Sequence, residues 1–325
     1  MPVTSITTDP QALTMTVVAD FSVPVERLWE AYADPRQIEK FWGPVEWPAT
    51  FTRHDMTPGG RSEYVMTGPN GERSAGVWEY ESVDPGKSFV VLDGFAKEDG
   101  TLNEDMPRMR VTFTFESTPT GSRLTDVAEF ESLEALETVI EMGIVEGTRS
   151  AMSQIDTVLA DLASFAAGRG TEVQILSDTT IRVSRVIRGT AEQVWRAHHD
   201  PELMRLWLLG PDGWTMPVCE VATTVGDTYR YVWEPEGGGE GGFGFEGELL
   251  ESVENVRAVT TERMIGMDYP GTVNEMTLTP RRDGTLIAIV ITYANAEQRD
   301  IVLGTGMTDG METSYARLEG ILADA

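Results

Sequence analysis

LWEAYADPRQIEKFWGP, residues 28–44, is the stretch that decides the fold, because the chain contains it twice. The second copy, VWRAHHDPELMRLWLLGP, occupies residues 194–211. The dipeptide Asp34-Pro35 in the first copy corresponds to Asp200-Pro201 in the second. In a chain of 325 residues, an internal repeat over this distance predicts two domains of one architecture.

Each copy predicts two short helices that follow a strand. Apolar residues alternate from Met15 to Phe21, which is the period of a half-buried strand. Within the repeat the apolar residues recur at helical spacing, and Asp34 precedes Pro35 as an N-cap precedes the first residue of a helix. Residues 1–12 are predicted to be a polar lead-in to the first strand.

Strand patterns separated by turn signals fill the middle of each half. In the first half the predicted strands are 49–56, 61–67, 74–83, 88–95, 109–116 and 122–130. Short Pro- and Gly-containing connections between them predict antiparallel neighbours. In the second half Trp214, Gly226 and Tyr231 repeat the positions of Trp47, Gly59 and Tyr64.

A long helix is predicted to close each half. Apolar residues recur at steps of three and four from Leu136 to Phe165, and Gly143 and Gly147 lie inside this pattern. The predicted inner face of the last helix consists of Met307, Met311, Ser314, Leu318, Ile321 and Leu322. We therefore predict an α+β fold, in which a curved antiparallel sheet wraps around a long C-terminal helix. The expected domains are residues 1–168 and 172–325, joined by the segment AAGRGT at 166–171.

Composition excludes several classes of function. The net charge of −28 disfavours binding to nucleic acids and to anionic membranes. No apolar run is long enough to cross a membrane, and the first residues resemble no secretory signal. The single cysteine, Cys219, rules out an internal disulfide and suits a reducing compartment. These features predict a soluble cytoplasmic protein.

The order of these motifs resembles the activator of heat-shock-protein-90 ATPase family, a member of the START-like, or helix-grip, superfamily. The resemblance extends over about residues 13–165 and 178–325. The residues that carry it are Trp29, Asp34, Pro35, Trp42, Gly43, Pro44, Trp47, Gly59 and Gly60, and then Arg185, Trp195, Asp200, Pro201, Trp207, Gly210, Pro211, Trp214 and Gly226. It implies two tandem helix-grip domains, each with a cavity between its sheet and its helix.

Aromatic and inward-facing residues are the candidates for lining these cavities. They are Trp42, Trp47, Tyr64, Met66, Trp78, Arg185, Trp207, Trp214, Tyr231 and Trp233. Simple core packing is the alternative for any single aromatic residue. Arg185 has two alternatives: to bind an anionic ligand group or to pair with an internal carboxylate. Because Trp233 replaces Met66 and Arg185 replaces Ala19, the second cavity is expected to be smaller and more polar.

Other reactive residues are not expected to form a site. His198 and His199 are adjacent on a predicted helix and point about 100° apart, so they are predicted to be solvated rather than to bind a metal. His54 is predicted to be an exposed strand residue, and the glycine-rich run 236–247 a hairpin tip. Cys219 is predicted to be a small buried hydrophobe. We expect no metal, no cofactor and no catalytic residues.

Three functions remain possible from the sequence. The leading hypothesis is a protein that binds a small hydrophobic molecule in each helix-grip cavity without dedicated catalysis. The resemblance implies a second, a regulator of a chaperone ATPase or another protein-interaction module. The third is a cyclase- or hydratase-type enzyme that uses acid–base groups in the cavity. A carboxyl or histidine with a shifted pKa inside the cavity would favour this third function.

Overall fold

The chain folds into two compact units, Met1–Leu162 and Ala163–Ala325. The structure is a computed structural model, and it describes residues 2–97, 100–161, 170–210, 213–237 and 241–323. Most of the predicted linker, Pro211 and the end of the predicted first closing helix lie outside these residues. Each unit is described by itself.

The first unit combines an antiparallel sheet with helices at its inner face. Its elements in chain order are β1 (Val3–Asp9), β2 (Thr14–Phe21), α1 (Val25–Ala33), α2 (Pro35–Ile38), β3 (Ala49–His54), β4 (Arg61–Thr67), β5 (Arg73–Asp84), β6 (Ser88–Ala96), β7 (Met109–Thr118), β8 (Gly121–Phe130), α3 (Leu133–Glu141) and α4 (Ile144–Ala160). The strand order in the sheet is β1-β2-β8-β7-β6-β5-β4-β3. The strands predicted from the turn signals are therefore confirmed.

The second unit repeats this plan. Its elements are β9 (Glu172–Ile175), β10 (Thr180–Ile187), α5 (Ala191–His199), α6 (Pro201–Trp207), β11 (Trp214–Glu220), β12 (Thr228–Pro235), β13 (Phe243–Val253), β14 (Arg257–Met264), β15 (Thr272–Arg281), β16 (Gly284–Thr292), α7 (Ala296–Leu303) and α8 (Met307–Ala323). The strand order is β11-β12-β13-β14-β15-β16-β10-β9. Both units are thus α+β, as predicted.

Two local predictions were wrong. Residues 1–12 are not a simple lead-in, because β1 pairs with β2 at the sheet edge. An edge strand is stabilised through its backbone, so its polar sequence, VTSITTD, gives little apolar alternation to detect. The first closing helix is also divided: α3 ends before Gly143, whose φ of +87° starts α4. A residue other than glycine would be strained in this conformation.

The closing helices bury their apolar stripes against the inner face of each sheet. In α4 the fully buried residues are Met152, Ile155 and Leu159, which belong to one continuous core with α1 and the strands. In α8 the buried residues are Ser314, Tyr315 and Leu318, while Leu322 is only half-buried. In each unit the closing helix therefore covers the inner face of the sheet, which is where a cavity was predicted.

We propose that the pieces 1–168 and 170–325 fold independently when they are expressed separately. The second piece should include Thr171, because its backbone N–H and its hydroxyl both donate to Glu312 Oε2 in α8, over 2.8 and 2.6 Å. Starting at residue 172 instead should lower the free energy of unfolding by roughly 1 kcal/mol. Urea denaturation of both versions measures this, with Thr171→Ala as the control. Failure of both pieces to fold would contradict independent domains.

Candidate functional site

Two carboxyl groups lie on the inner face of the first sheet. Asp93 on β6 is paired across the ladder with Met109 on β7, and Asp126 on β8 is paired with Phe113 on β7. Residues that are directly opposite in a ladder point to the same face. Val111, midway between Met109 and Phe113, therefore separates the two carboxyl-bearing positions on the core side.

Asp93 and Asp126 are surrounded by protein but are not fully buried. Each is surrounded by protein deeply enough for burial to dominate its electrostatics, although part of each residue remains accessible to water. Well-packed interiors leave few voids large enough for water. Two carboxyl groups that are desolvated and yet partly accessible are the feature from which a cavity at this face can be proposed.

Burial is the main cause of the raised pKa of both carboxyl groups. Desolvation raises the pKa of Asp93 to about 7, although the Trp78 indole and the backbone N–H of Gly94 oppose this increase. The Nε1–H group of Trp78 is near enough to act on Asp93, but among the described residues it has no partner in hydrogen-bonding geometry. Desolvation also raises the pKa of Asp126 to about 7, and the charge of Asp93 adds to the shift. The two groups therefore titrate as an interacting pair near neutral pH.

Aromatic side chains form the wall near Asp93. Trp78 is fully buried, and its ring contacts Trp42 edge-on at a centroid distance of 4.6 Å and Tyr64 at 6.0 Å. Phe51 extends the same cluster. Thus three of the residues predicted to line a cavity, Trp42, Tyr64 and Trp78, lie together, and the fully buried Trp78 is a core residue.

Trp47 and Met66 lie outside this cluster. Trp47 is half-buried and covers Gly68, where an added Cβ would lie 2.8 Å from its ring. The Met66 side chain packs on Gly43, where an added Cβ would lie 3.0 Å from the Met66 sulfur. Within the described residues, Trp47 contacts no other aromatic ring, so it lies at the rim of the sheet.

His54 is buried, contrary to the prediction that it is exposed. A register shift between Phe51 and Arg53 turns His54 inward, and strict alternation misses such a bulge. Its Nε2 lies 2.9 Å from the carbonyl oxygen of Tyr32, and its Nδ1 lies 2.9 Å from Ser62 Oγ. Because that carbonyl can only accept, Nε2 carries the proton in the neutral ring. His54 therefore satisfies a carbonyl at the end of α1, which is a structural role.

In the second unit Arg185 pairs with internal carboxylates. Its Nε donates to Glu312 Oε2 over 2.9 Å, and its Nη2 donates to Glu319 Oε2 over 3.2 Å. Hydrogen bonds from Arg185 and Thr171 lower the pKa of Glu312 to about 2. Both carboxylates belong to α8, so the guanidinium joins β10 to the closing helix. Of the two alternatives for Arg185, the structure contains the pairing with internal carboxylates.

The second unit also has a carboxyl at the position of Asp93. Glu262 on β14 is paired with Thr272 at the start of β15, as Asp93 is with Met109 at the start of β7. Burial raises the pKa of Glu262, whereas hydrogen bonding with Asn274 and Tyr229 opposes the increase. Ile289 occupies the position that corresponds to Asp126, since it pairs with Val183 as Asp126 pairs with Val17. This unit therefore has one acidic position where the first has two.

The predicted aromatic residues of the second unit separate into two groups. Trp207 stacks on Tyr315 of α8 at a centroid distance of 5.8 Å and donates its indole N–H to the Ala197 carbonyl. Trp214, Tyr231 and Trp233 belong to a second group with Phe243. Trp233 is buried and donates to the Leu208 carbonyl over 2.6 Å.

The two neighbouring histidines are not solvated, contrary to the prediction. His199 stacks on Trp195 at a centroid distance of 4.0 Å. The His198 ring contacts Trp207 at a centroid distance of 4.8 Å and Tyr315 at 6.2 Å, and burial lowers its pKa to about 4. Each Nδ1 bonds to a carbonyl four residues earlier, on α5, so both rings are held against their helix and are partly buried. Cys219 is buried, as expected. Part of the glycine-rich run lies outside the described residues.

These features define a helix-grip protein: a closing helix held against a curved antiparallel sheet, with ionisable groups on the inner face. The family model described as "Activator of Hsp90 ATPase homolog 1-like protein" matches residues 22–160 and 188–323. The chain therefore belongs to this family and contains two tandem copies of its domain. No curated protein matches the sequence.

Proteins of known structure resemble one half of the chain at a time. A protein from Mycobacterium smegmatis is 49% identical, and the match covers 49% of this chain and 98% of that protein, with a TM-score of 0.47. A protein from Arthrobacter aurescens is 39% identical over 49% of this chain and 92% of its own, with a TM-score of 0.47. A protein from Rhodobacter sphaeroides is 28% identical over 48% and 99%, with a TM-score of 0.45.

Sequence reasoning did not identify the acidic positions. The signal was present, because Asp93 follows the buried Val91 by two residues and Asp126 lies midway between the buried Leu124 and Ala128. A charged residue in phase with a buried set is a candidate for the inner face.

In the described part of the chain, no helix is long and apolar enough to span a membrane, and no cluster of three potential ligands could hold a metal ion.

Proposed function

We propose that this protein binds small, largely apolar molecules between sheet and closing helix, with its principal site in the first unit. The observation that carries this proposal is the accessible surface of Asp93 and Asp126 deep on the inner face. Apolar pockets with a few convergent polar groups are typical of small-molecule sites. Trp42 and Tyr64 supply the apolar wall beside Asp93.

The second unit supports a weaker or different binding site. The larger Trp233 stands where the first unit has Met66, and its ring stacks on Phe243 at 5.1 Å. The expectation of a more polar second cavity depended on Arg185, whose guanidinium is occupied by Glu312 and Glu319. We therefore expect the second cavity to be smaller, and the first to contain more ionisable groups.

Acid–base catalysis is the second candidate function, because burial raises the pKa of both carboxyl groups at the proposed first cavity to about 7. A group that is half-protonated at neutral pH can both accept and donate a proton. The cyclase or hydratase alternative therefore stays open. A chaperone partner and regulation of its ATPase remain predictions, and a pull-down with the chaperone would test the association. A cytoplasmic location also remains a prediction.

The proposed cavity can be tested by filling it. Val111 lies between the two carboxyl positions on the inner face, and Thr112 is next to it on the opposite face of β7. Titration of the full chain with the neutral fluorescent probe N-phenyl-1-naphthylamine should show binding that Val111→Phe weakens at least about tenfold. Thr112→Phe is the matched control and should leave binding unchanged. Native mass spectrometry of freshly purified protein would show a natural ligand.

The result that contradicts the proposal is equally specific. If the probe does not bind, or if Val111→Phe and Thr112→Phe have equal effects, the inner face of the first unit is not the site. Circular dichroism and thermal melting of both variants establish that they remain folded, because overpacking typically costs about 1–3 kcal/mol.

A further inference from the structure

We propose that the first cavity selects a hydrophobic amine, with its ammonium group between Asp93 and Asp126 and its apolar body against the aromatic wall. This inference rests on the proposed ligand-binding function and adds the chemical class of the ligand. It depends on the polar groups that face the cavity, on the aromatic faces beside them and on the difference between the two units.

The two carboxyl groups near the proposed cavity lack a cationic partner within the described residues. Oδ1 of Asp126 is inaccessible and has no hydrogen-bond partner within the described residues. In that part of the chain neither Asp93 nor Asp126 forms an ion pair, and the groups that act on them are each other, the hydroxyls of Tyr32 and Tyr64, the Trp78 indole and the Gly94 N–H. A buried carboxylate that is left unpaired carries a large desolvation penalty. A ligand that brings a positive charge with N–H donors would remove this penalty.

Among the described residues, no cationic side chain of α1 or α4 acts on either carboxyl group. The buried residues of α4 are Met152, Ile155 and Leu159, and α1 contributes Leu28, Trp29 and Tyr32 to the same core. The Tyr32 hydroxyl is 4.0 Å from the sulfur of Met152 and contributes no positive charge. The covering helices therefore leave the charge of the pair uncompensated.

The aromatic wall suits the same ligand. An ammonium group is attracted to the faces of Trp and Tyr rings, and this attraction is stronger away from water. Trp42, Tyr64 and Trp78 contact one another, and both Trp78 and Tyr64 interact electrostatically with Asp93. Acidic and aromatic groups thus converge from β4, β5 and β6 at one end of the pair.

The second unit lacks this arrangement and provides an internal control. Ile289 replaces Asp126, and the remaining acid, Glu262, interacts with Asn274 and with Tyr229, whose hydroxyl is 3.5 Å from Glu262 Oε2. Arg185, one of its buried cations, is already paired with carboxylates of α8. An amine therefore finds an unpartnered carboxylate in the first unit, but a partnered one in the second.

Calorimetric titration of the full chain with three probes that share a phenylethyl group tests the inference. The probes are 2-phenylethylamine, 2-phenylethanol and 3-phenylpropanoate, which are cationic, neutral and anionic at pH 8.5. We expect the amine to bind at least about tenfold more tightly than the alcohol, which is a difference of about 1.4 kcal/mol, and the acid to bind most weakly. The preference for the amine should be lost at pH 5.5, where the carboxyl pair is protonated. Titrations at pH 7 in buffers of different ionisation enthalpy should show that binding the amine releases protons.

Asp126→Asn should reduce amine affinity about tenfold or more and leave the affinity for 2-phenylethanol unchanged, whereas Glu262→Gln should affect neither. If the alcohol binds as tightly as the amine and Asp126→Asn changes neither, the inference is wrong but the proposed binding function stands. If amine binding depends on Glu262 instead, the site is in the second unit and the inference fails. If none of the three probes binds and N-phenyl-1-naphthylamine does not bind either, both the inference and the proposed function are overturned.

Discussion

Replacing Trp78 with alanine is expected to destabilise the first unit by about 3–5 kcal/mol, the range for deleting a large buried aromatic side chain. Trp78 has no exposed surface, and its ring contacts Trp42, Phe51, Tyr64 and Phe113 at centroid distances between 4.6 and 6.2 Å. Such aromatic pairs stabilise beyond the area that they bury. Urea denaturation followed by circular dichroism measures the loss, which should appear only in the transition of the first unit.

Trp47→Ala is the matched control, because it deletes the same side chain from the rim of the same sheet. Trp47 is half-buried and packs against Gly68. Among the described residues it contacts no other aromatic ring. We expect a loss of about 1 kcal/mol or less, as for partly exposed positions. Similar losses at the two positions would show that Trp78 is not the centre of the core and that the aromatic wall of the cavity is misplaced.

The fold was predictable wherever apolar periodicity and turn chemistry agree. The repeated helices, the strands from β3 to β8 and the closing helices all have such signals, and all are present in the structure. β1 and β9 were missed because edge strands rely on backbone pairing rather than on apolar alternation. The division at Gly143 was missed because one glycine inside an apolar stripe does not reveal its φ.

The candidate site was less predictable, for a physical reason. Residue type indicates that Trp42, Tyr64 and Trp78 prefer the interior, and they do lie together there. Residue type places Asp93, Asp126 and His54 at the surface. For the two aspartates, only their phase relative to neighbouring buried residues contradicts this. For His54 the bulge in β3 changes the phase as well, so the sequence contains no direct signal of its burial.

Asp126→Asn is expected to stabilise the first unit by about 1–3 kcal/mol at pH 8 and to have no effect at pH 4. Burial raises the pKa of Asp126 to about 7, whereas an aspartate in the unfolded chain titrates near 3.9. The folded unit therefore holds a proton that the unfolded chain has released, and stability decreases as the pH rises from about 4 to 7. Asparagine has nearly the same shape but no charge to desolvate. The stability of the variant should therefore not show this decrease between pH 4 and 7. The full shift of about three units corresponds to about 4 kcal/mol, and water in the cavity reduces the expected gain.

The measurement is urea denaturation of wild type and Asp126→Asn at pH 4, 6 and 8, with Asp93→Asn as a second variant of the same pair. Loss of either charge also lowers the pKa of the remaining partner, so the two gains should not be additive. A variant that is less stable than wild type at pH 8 would show that an unseen partner stabilises the charged form. If Asp126→Asn is both more stable and unable to distinguish 2-phenylethylamine from 2-phenylethanol, then the carboxylate destabilises the fold and is retained for the ligand, as functional sites commonly are.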